Sequence, residues 1–258
     1  MKQPEIIFER EGPLAIVTLN RPEALNALTW SMYDGLIAAC ERVDADDEIR
    51  VLIVRGGPKA FAAGTDISQF EGFGGADDGI AYERRLEQAV GRLEAVGKPT
   101  IAAIEGYAVG AGAALALVCD LRCGAAGCRI GVPIARTLGN CLSIANYARL
   151  VDLIGPGRTK ELIFRARLVE AEDARAVGLL NEVVADGHAY ERAREMALEI
   201  AAHAPITIQV TKQAIRRLAA KRREIADEDL IARAYASEDF REGVSAFIAR
   251  RKPVFRGR

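Results

Sequence analysis

The chain has 258 residues, half of them hydrophobic, and a formal net charge of -1. That length and composition suffice for one domain with a sizeable core, or for one domain with a small appendage. The near-zero charge argues against nucleic acid as the main ligand. Five cysteines without a C-x-x-C pair or a partnering histidine cluster read as reduced thiols, not as a disulfide frame or a zinc site.

Met1-Lys2-Gln3-Pro4-Glu5 has no basic region followed by an apolar core, so no signal peptide is expected and the expected place is the cytoplasm. Ile6 to Glu9 and Leu14 to Leu19 read as strands turning at Gly12-Pro13. Asn20 to Leu28 is a loop, and Ser31 with Asp34 predicts a capped helix to about Val43. Ile49 to Arg55 is the next strand. Phe70 to Ile80, rich in glycine and acids, reads as a mobile loop ahead of a helix from Ala81 to Val96.

Residues 99–120 form the most informative stretch. A β-branched segment behind Lys98-Pro99 reads as a buried strand, Gly106, Gly110 and Gly112 break it, and Gly112 to Asp120 reads as a tightly packed helix. Strand, glycine turn and helix place backbone N–H groups at a helix N-terminus, where negative charge is favoured. Glu105 and the glycines in mid-span weigh against a membrane helix. The order is not G-x-G-x-x-G, so spacing alone leaves an anion site and a plain packing site both open.

Downstream, Leu121 to Arg129 is a strand region, Ile130-Gly131-Val132-Pro133 is a turn, and a helix starts near Ser143. Gly155-Pro156-Gly157 punctuates before a helix at Arg158 to Phe164, followed by helix, stop and strand over residues 170–184. Helices are expected at Ala189 to Ala202, Ile206 to Ala220, Ile225 to Tyr235 and from Ser237 to Arg250. Arg216 to Arg223 is basic, but the acids that follow mark it as a solvated helix face.

Lys59-Ala60-Phe61-Ala62-Ala63-Gly64-Thr65-Asp66-Ile67-Ser68, Asn20 to Leu28 and the glycine stretch stand in an order that resembles the crotonase (enoyl-CoA hydratase/isomerase) superfamily. The resemblance extends to the closing Arg251-Lys252-Pro253-Val254-Phe255, over essentially the whole chain. It implies an α/β fold: a crotonase-like spiral of ββα units over residues 1–200 holding a CoA-thioester site, and a helical C-terminal trimerisation region over residues 201–258. Relatives form trimers or paired trimers, so a homotrimer or dimer of trimers is the expected assembly.

The resemblance also implies that the N–H groups of Thr65 and Ala111 grip the carbonyl oxygen of an acyl-CoA thioester. Two preorganised donors stabilise the charge that collects on that oxygen as the thioester becomes an enolate. Glu23, Ala24, Leu25, Ala63, Asp66, Ile67 and Ser68 match segments that hold CoA in relatives. Phe247 and Arg250 match an aromatic and a basic residue that often reach the CoA of a neighbouring subunit. CoA enters as part of the substrate; no separate cofactor or metal, no nucleic acid and no membrane is expected.

One departure separates this chain from the hydratases it resembles. The two glutamates those enzymes use would stand at Ala114 and Ile134, and neither is a carboxylate. Acid–base catalysis of water addition contributes about 10²–10⁴-fold, which alanine and isoleucine cannot supply. Asn140 and Cys141 are the candidate replacements, Asn140 to orient water and Cys141 as a thiol of lowered pKa; capping and packing are their alternative roles. Arg136, Thr137 and Ser143 lie in the same region, and Glu71, Asp77 and Asp78 sit on the expected loop. His188 and His203 read as structural or surface residues. The expected function is an enoyl-CoA hydratase/isomerase-type enzyme. The alternatives are a crotonase-fold decarboxylase, hydrolase or isomerase using other groups, or an acyl-CoA-binding protein without catalysis.

Overall fold

Apolar runs broken by glycine and polar turns fold here into two sheets wrapped by helices. The structure is a computed structural model that describes residues 4–220 and 225–257. Residues 1–3 of the Met1 to Glu5 stretch and part of the basic run, 221–224, lie outside the described residues.

β1 (Ile6–Glu11) and β2 (Leu14–Leu19) form an antiparallel hairpin. α1 (Trp30–Ala45) leads to β3 (Val51–Arg55), parallel to β2, and β4 (Ala60–Ala62) opens a second sheet. α2 (Ala76–Glu94) leads to β5 (Thr100–Ile104) beside β3 and β6 (Tyr107–Val109) beside β4. α3 (Ala111–Val118) leads to β7 (Leu121–Ala125) beside β5 and β8 (Arg129–Gly131) beside β6. Each helix thus returns the chain to the next pair of strands, one for each sheet. That repeated step is the ββα spiral.

α4 (Ile134–Thr137) and α5 (Ile144–Arg165) precede β9 (Val169–Glu170), α6 (Ala171–Val177) and β10 (Glu182–Val184). The finished sheets run β1-β2-β3-β5-β7-β10 and β4-β6-β8-β9. α7 (Ala189–Ala201) covers one face of the first sheet through buried Ala193, Met196 and Ala197. α8 (Pro205–Ala220) has no buried residue, whereas α9 (Glu228–Tyr235) and α10 (Glu238–Ile248) return to the core with buried Ile231, Tyr235, Phe240 and Val244.

Several boundaries differ from the sequence reading. α1 is capped by Thr29, whose Oγ1 accepts from the Met32 amide, rather than by Ser31. α2 begins at Ala76, not Ala81, because the Asp78 carboxylate accepts from the amides of Gly74 (2.7 Å) and Gly75 (3.3 Å). The expected loop shrinks to residues 71–75, and Phe73 packs there on Tyr82, Tyr235 and Phe240. The strand expected over Leu121 to Arg129 is two strands in different sheets. The stop expected at Gly155-Pro156-Gly157 is present, by contrast: Gly155, at φ +76° and ψ 163°, is non-helical and divides α5 into two helices.

Candidate active site

A cavity of about 840 Å³ lies between the loop after β2, the turn after β4, the N-terminus of α3, the side of α2 and the end of α10. Asn26 builds its first wall. This buried residue takes a left-handed conformation, φ +56°, which asparagine tolerates better than most side chains. Its Nδ2 donates to the Ala60 carbonyl at 2.8 Å, while its Oδ1 accepts from the Arg21 amide at 2.8 Å. The loop is thereby fixed against β4, and the Ala63 amide donates to the Leu25 carbonyl at 3.0 Å. Arg21 then pairs with Asp66 at 2.7 Å. Burial raises the Asp66 pKa, but bonds from Ser68 and Arg21 outweigh it and hold the carboxyl below its ordinary value.

Two glycine turns meet at the centre. Gly64 (φ +112°) and Gly110 (φ +55°) both occupy backbone conformations that favour glycine. A Cβ on Gly110 would lie 3.8 Å from the Gly64 Cα, which measures how close the turns come. Gly112 lets α3 abut β4, since a Cβ there would stand 2.1 Å from the Ala62 carbonyl oxygen. Thr65 and Ala111, the residues following these turns, both line the cavity. Among the described residues neither of their amides donates to a backbone carbonyl. The amide of Ala111 opens a helix, where an N–H has no intrahelical acceptor.

The Thr65 hydroxyl is bonded to the Tyr33 and Tyr82 hydroxyls, each at 2.8 Å. Burial raises the pKa of both phenols, so they stay protonated. One residue beyond Tyr82, Glu83 also lines the cavity at 2% exposure. Tyr235 donates to its Oε1 at 2.8 Å, and the Ser143 amide to its Oε2 at 3.0 Å. Burial pushes this carboxyl up to about 7, against the opposing pull of those two bonds. Asn140 donates to the Tyr235 hydroxyl at 3.1 Å, and its own Oδ1 is buried without a hydrogen-bond partner.

Of the candidate site residues, Thr65, Ala111, Asn140, Glu23, Ala24, Leu25, Ala63, Asp66, Ile67, Phe247 and Arg250 all line this one cavity, as do Ala114 and Ile134. Ser68 and Cys141 do not. Ser68 faces outward and donates to Asp66 at 2.8 Å. Cys141 is a correction: its thiol contacts the Leu230 carbonyl at 3.9 Å and burial pushes it up to about 12, the reverse of an activated thiol. Asn140 caps no helix; Ser143 caps α5 through its Oγ. Glu71, Asp77, Asp78 and Arg136 are exposed and outside the cavity lining, and so are His188 and His203. Glu83 and Tyr235 were not legible as site residues. A signal existed: Glu83 continues the apolar stripe of Leu86, Val90 and Leu93 along α2, where a lone carboxylate is out of place.

The family profile described as Enoyl-CoA hydratase/isomerase matches residues 9–258. The chain belongs to the enoyl-CoA hydratase/isomerase family. It is 34% identical over 256 residues to the short-chain-enoyl-CoA hydratase of Clostridium acetobutylicum, covering 98% of this chain and 97% of the other. It is 33% identical over 257 residues to the 2,3-dehydroadipyl-CoA hydratase of Escherichia coli, covering 98% and 99%. Among solved structures, an enoyl-CoA hydratase/carnithine racemase of Magnetospirillum magneticum matches with TM-score 0.81 and 37% identity over 100% of this chain and 97% of that one. A methylmalonyl-CoA decarboxylase in complex with 2-nitronate-propionyl-CoA matches with TM-score 0.90 and 30% identity, covering 98% and 99%. The family's crotonase fold agrees with the spiral described above.

Proposed function

We propose that the cavity binds an acyl-CoA thioester and stabilises its enolate between the amides of Thr65 and Ala111. The observation carrying this reading is that both amides lie at one cavity without backbone acceptors among the described residues. When the α-carbon gains charge, resonance moves it onto the thioester oxygen. Two fixed N–H donors and the start of α3 meet that charge without reorganisation. Each donor of this kind is typically worth about 3–4 kcal/mol of barrier. Glu23 to Leu25 with Asp66 and Ile67 form the CoA-binding edge, Ser68 holds Asp66 from outside the cavity, and Phe247 and Arg250 stand at the rim. Arg250 is suited to a CoA phosphate. The substrate supplies CoA, and the reading calls for no further cofactor.

The reaction class is enoyl-CoA hydration or double-bond isomerisation, the chemistry named for the family. Decarboxylation of an acyl-CoA is the second reading. It is favoured by the likeness to the decarboxylase at TM-score 0.90 and by alanine and isoleucine at positions 114 and 134. Loss of carbon dioxide leaves the same enolate and needs the oxyanion donors more than a pair of carboxylates. A homotrimer or pair of trimers fits α8, whose exposed Ile206, Val210, Ile215 and Leu218 are unusual on a solvated helix. The cytoplasm fits the unpaired cysteines, of which Cys40, Cys119, Cys123 and Cys128 are buried.

The test is to mix the protein with crotonyl-CoA and follow the ultraviolet absorbance of the enoyl thioester, with CoA binding measured in parallel. Loss of absorbance supports hydration. Binding without loss removes hydration for this substrate and leaves methylmalonyl-CoA decarboxylation as the next assay. Absence of CoA binding overturns the reading.

A further inference from the structure

Glu83 is a carboxyl group that oxyanion stabilisation leaves without a task. It is 2% exposed on α2 and lines the cavity, where a charge is costly to hold unless something requires it. Its neighbour Tyr82 bonds the Thr65 hydroxyl at 2.8 Å, so α2 carries Glu83 alongside the residue whose amide faces the thioester in the reading above. Ala114, on the turn of α3 following Ala111, lines the same space with a methyl group and leaves that side of the cavity without an acid of its own.

The hydrogen bonds to Glu83 give its proton a direction. Both its oxygens receive bonds, from Tyr235 and from the Ser143 amide. An amide nitrogen cannot accept a proton, and the Tyr235 phenol donates its own proton to Glu83 while accepting from Asn140. A proton placed on Glu83 therefore has the cavity as its outlet. The buried, unpartnered Asn140 Oδ1 at the cavity wall supplies an acceptor for a polar hydrogen of substrate or water beside it.

We propose that Glu83 is the acid–base group of this cavity, taking the α-proton of the bound acyl thioester and returning it. The inference rests on the enolate reading. The α C–H bond breaks and its proton goes to a Glu83 oxygen. The electron pair becomes the carbon–carbon double bond of the enolate, and the charge rests on the thioester oxygen between the Thr65 and Ala111 amides. Return of the proton from Glu83 to carbon completes the cycle without an oxidant or a second reactant.

The titration of Glu83 suits this work, because burial holds it near 7, where both protonation states are populated. Tyr33 faces it from α1, Tyr82 and Glu87 from α2, Cys141 and Tyr147 from the approach to α5 and from α5, and Asp227 and Tyr235 from α9 and its cap. Glu87 is neutralised by Arg149 at 2.6 Å, and the Asp227 carboxylate accepts from the Ile144 amide. The environment therefore raises the Glu83 pKa chiefly by excluding water.

The test is exchange of the α-hydrogens of butyryl-CoA into deuterium oxide, followed by NMR across the pH range, with thioester binding measured on the same samples. The wild type is expected to exchange faster with rising pH, through an inflection near neutrality. Glu83→Gln is expected to slow exchange at least about 100-fold and abolish the inflection, with binding changed by less than about threefold. Exchange in Glu83→Gln within about threefold of wild type, with the same pH profile, overturns the role of Glu83 and leaves the enolate reading standing. Binding without any exchange in the wild type overturns both. If Glu83→Gln does not fold, Tyr235→Phe decides. It removes a bond to the charged carboxylate, so the inflection is expected to move up by about one pH unit. An unmoved inflection overturns the proposal.

Discussion

Tyr235, at the end of α9, donates its phenol proton to Glu83 on α2 across 2.8 Å, a contact spanning 152 residues of sequence. The approach depends on a residue one helical turn before Glu83. At Gly79 a Cβ would lie 2.2 Å from the Tyr235 Cγ, so α9 can reach α2 only over a glycine. The C-terminal helices thereby complete the wall of a cavity begun by the first sheet.

Gly79→Ala is expected to push Tyr235 away from Glu83. Overpacking of this kind costs about 1–3 kcal/mol of stability. Urea unfolding should register that cost, and any activity of the variant should show its pH inflection displaced upward, as the bond to the charged carboxylate is lost. A variant as stable as the wild type with an unchanged inflection would contradict the contact.

Glu83 also makes stability depend on pH with a definite sign. Its folded pKa lies near 7, above the ordinary 4.5, so between these values the folded state binds more protons than the unfolded state. The stabilisation is complete below about 4.5 and is lost as pH rises to about 7, by roughly 3 kcal/mol in total. Glu83→Gln lacks that proton, so its stability relative to the wild type should rise across this window. Denaturation curves at pH 5 and pH 7.5 check this; a relative stability that falls with pH would refute it.

Asn26 holds the loop of Glu23 to Leu25 against β4 through bonds to Ala60, Phe61 and the Arg21 amide. Asn26→Ala leaves buried backbone groups without partners, at an expected cost of about 2–3 kcal/mol. CoA affinity should fall with it, because the Ala63 amide is bonded to the Leu25 carbonyl in the same loop. Calorimetric binding and thermal unfolding, measured together, test both effects.

Cys141 gives the opposite expectation. With its thiol pushed up to about 12 and directed at the Leu230 carbonyl, it has almost no thiolate at neutral pH. Cys141→Ala should retain turnover within about twofold, and alkylation of Cys141 at pH 7 should be slow in the folded protein. Loss of activity in a well-folded variant would restore the thiol to the mechanism.

The sequence carried the fold because glycines at fixed places left few options. Gly64, Gly110 and Gly112 meet demands of backbone conformation or close approach that no other residue satisfies as well, and they bracket the strands and helix that form the centre. The cavity's first wall was legible for the same local reason. Glu83 was hidden because its meaning depends on Tyr235 and Ser143, which are distant in sequence, and on a burial that helical periodicity only hints at. The start of α2 was hidden because glycines around Asp78 lower helix propensity, while the Asp78 cap that offsets them exists only in three dimensions. Cys141 was misjudged because nearness to a helix start in sequence says nothing about burial.

The most direct test of enolate stabilisation reads the thioester itself. The carbonyl stretch of crotonyl-CoA labelled with carbon-13 at the thioester carbon should be recorded bound to the wild type and to Ala111→Pro, which removes one N–H at a position where proline suits a helix start. The account predicts a bound carbonyl at lower frequency than in water, with the shift reduced in Ala111→Pro and turnover lowered about 10²–10³-fold. A bound carbonyl at the frequency it has in water, in both proteins, would contradict it.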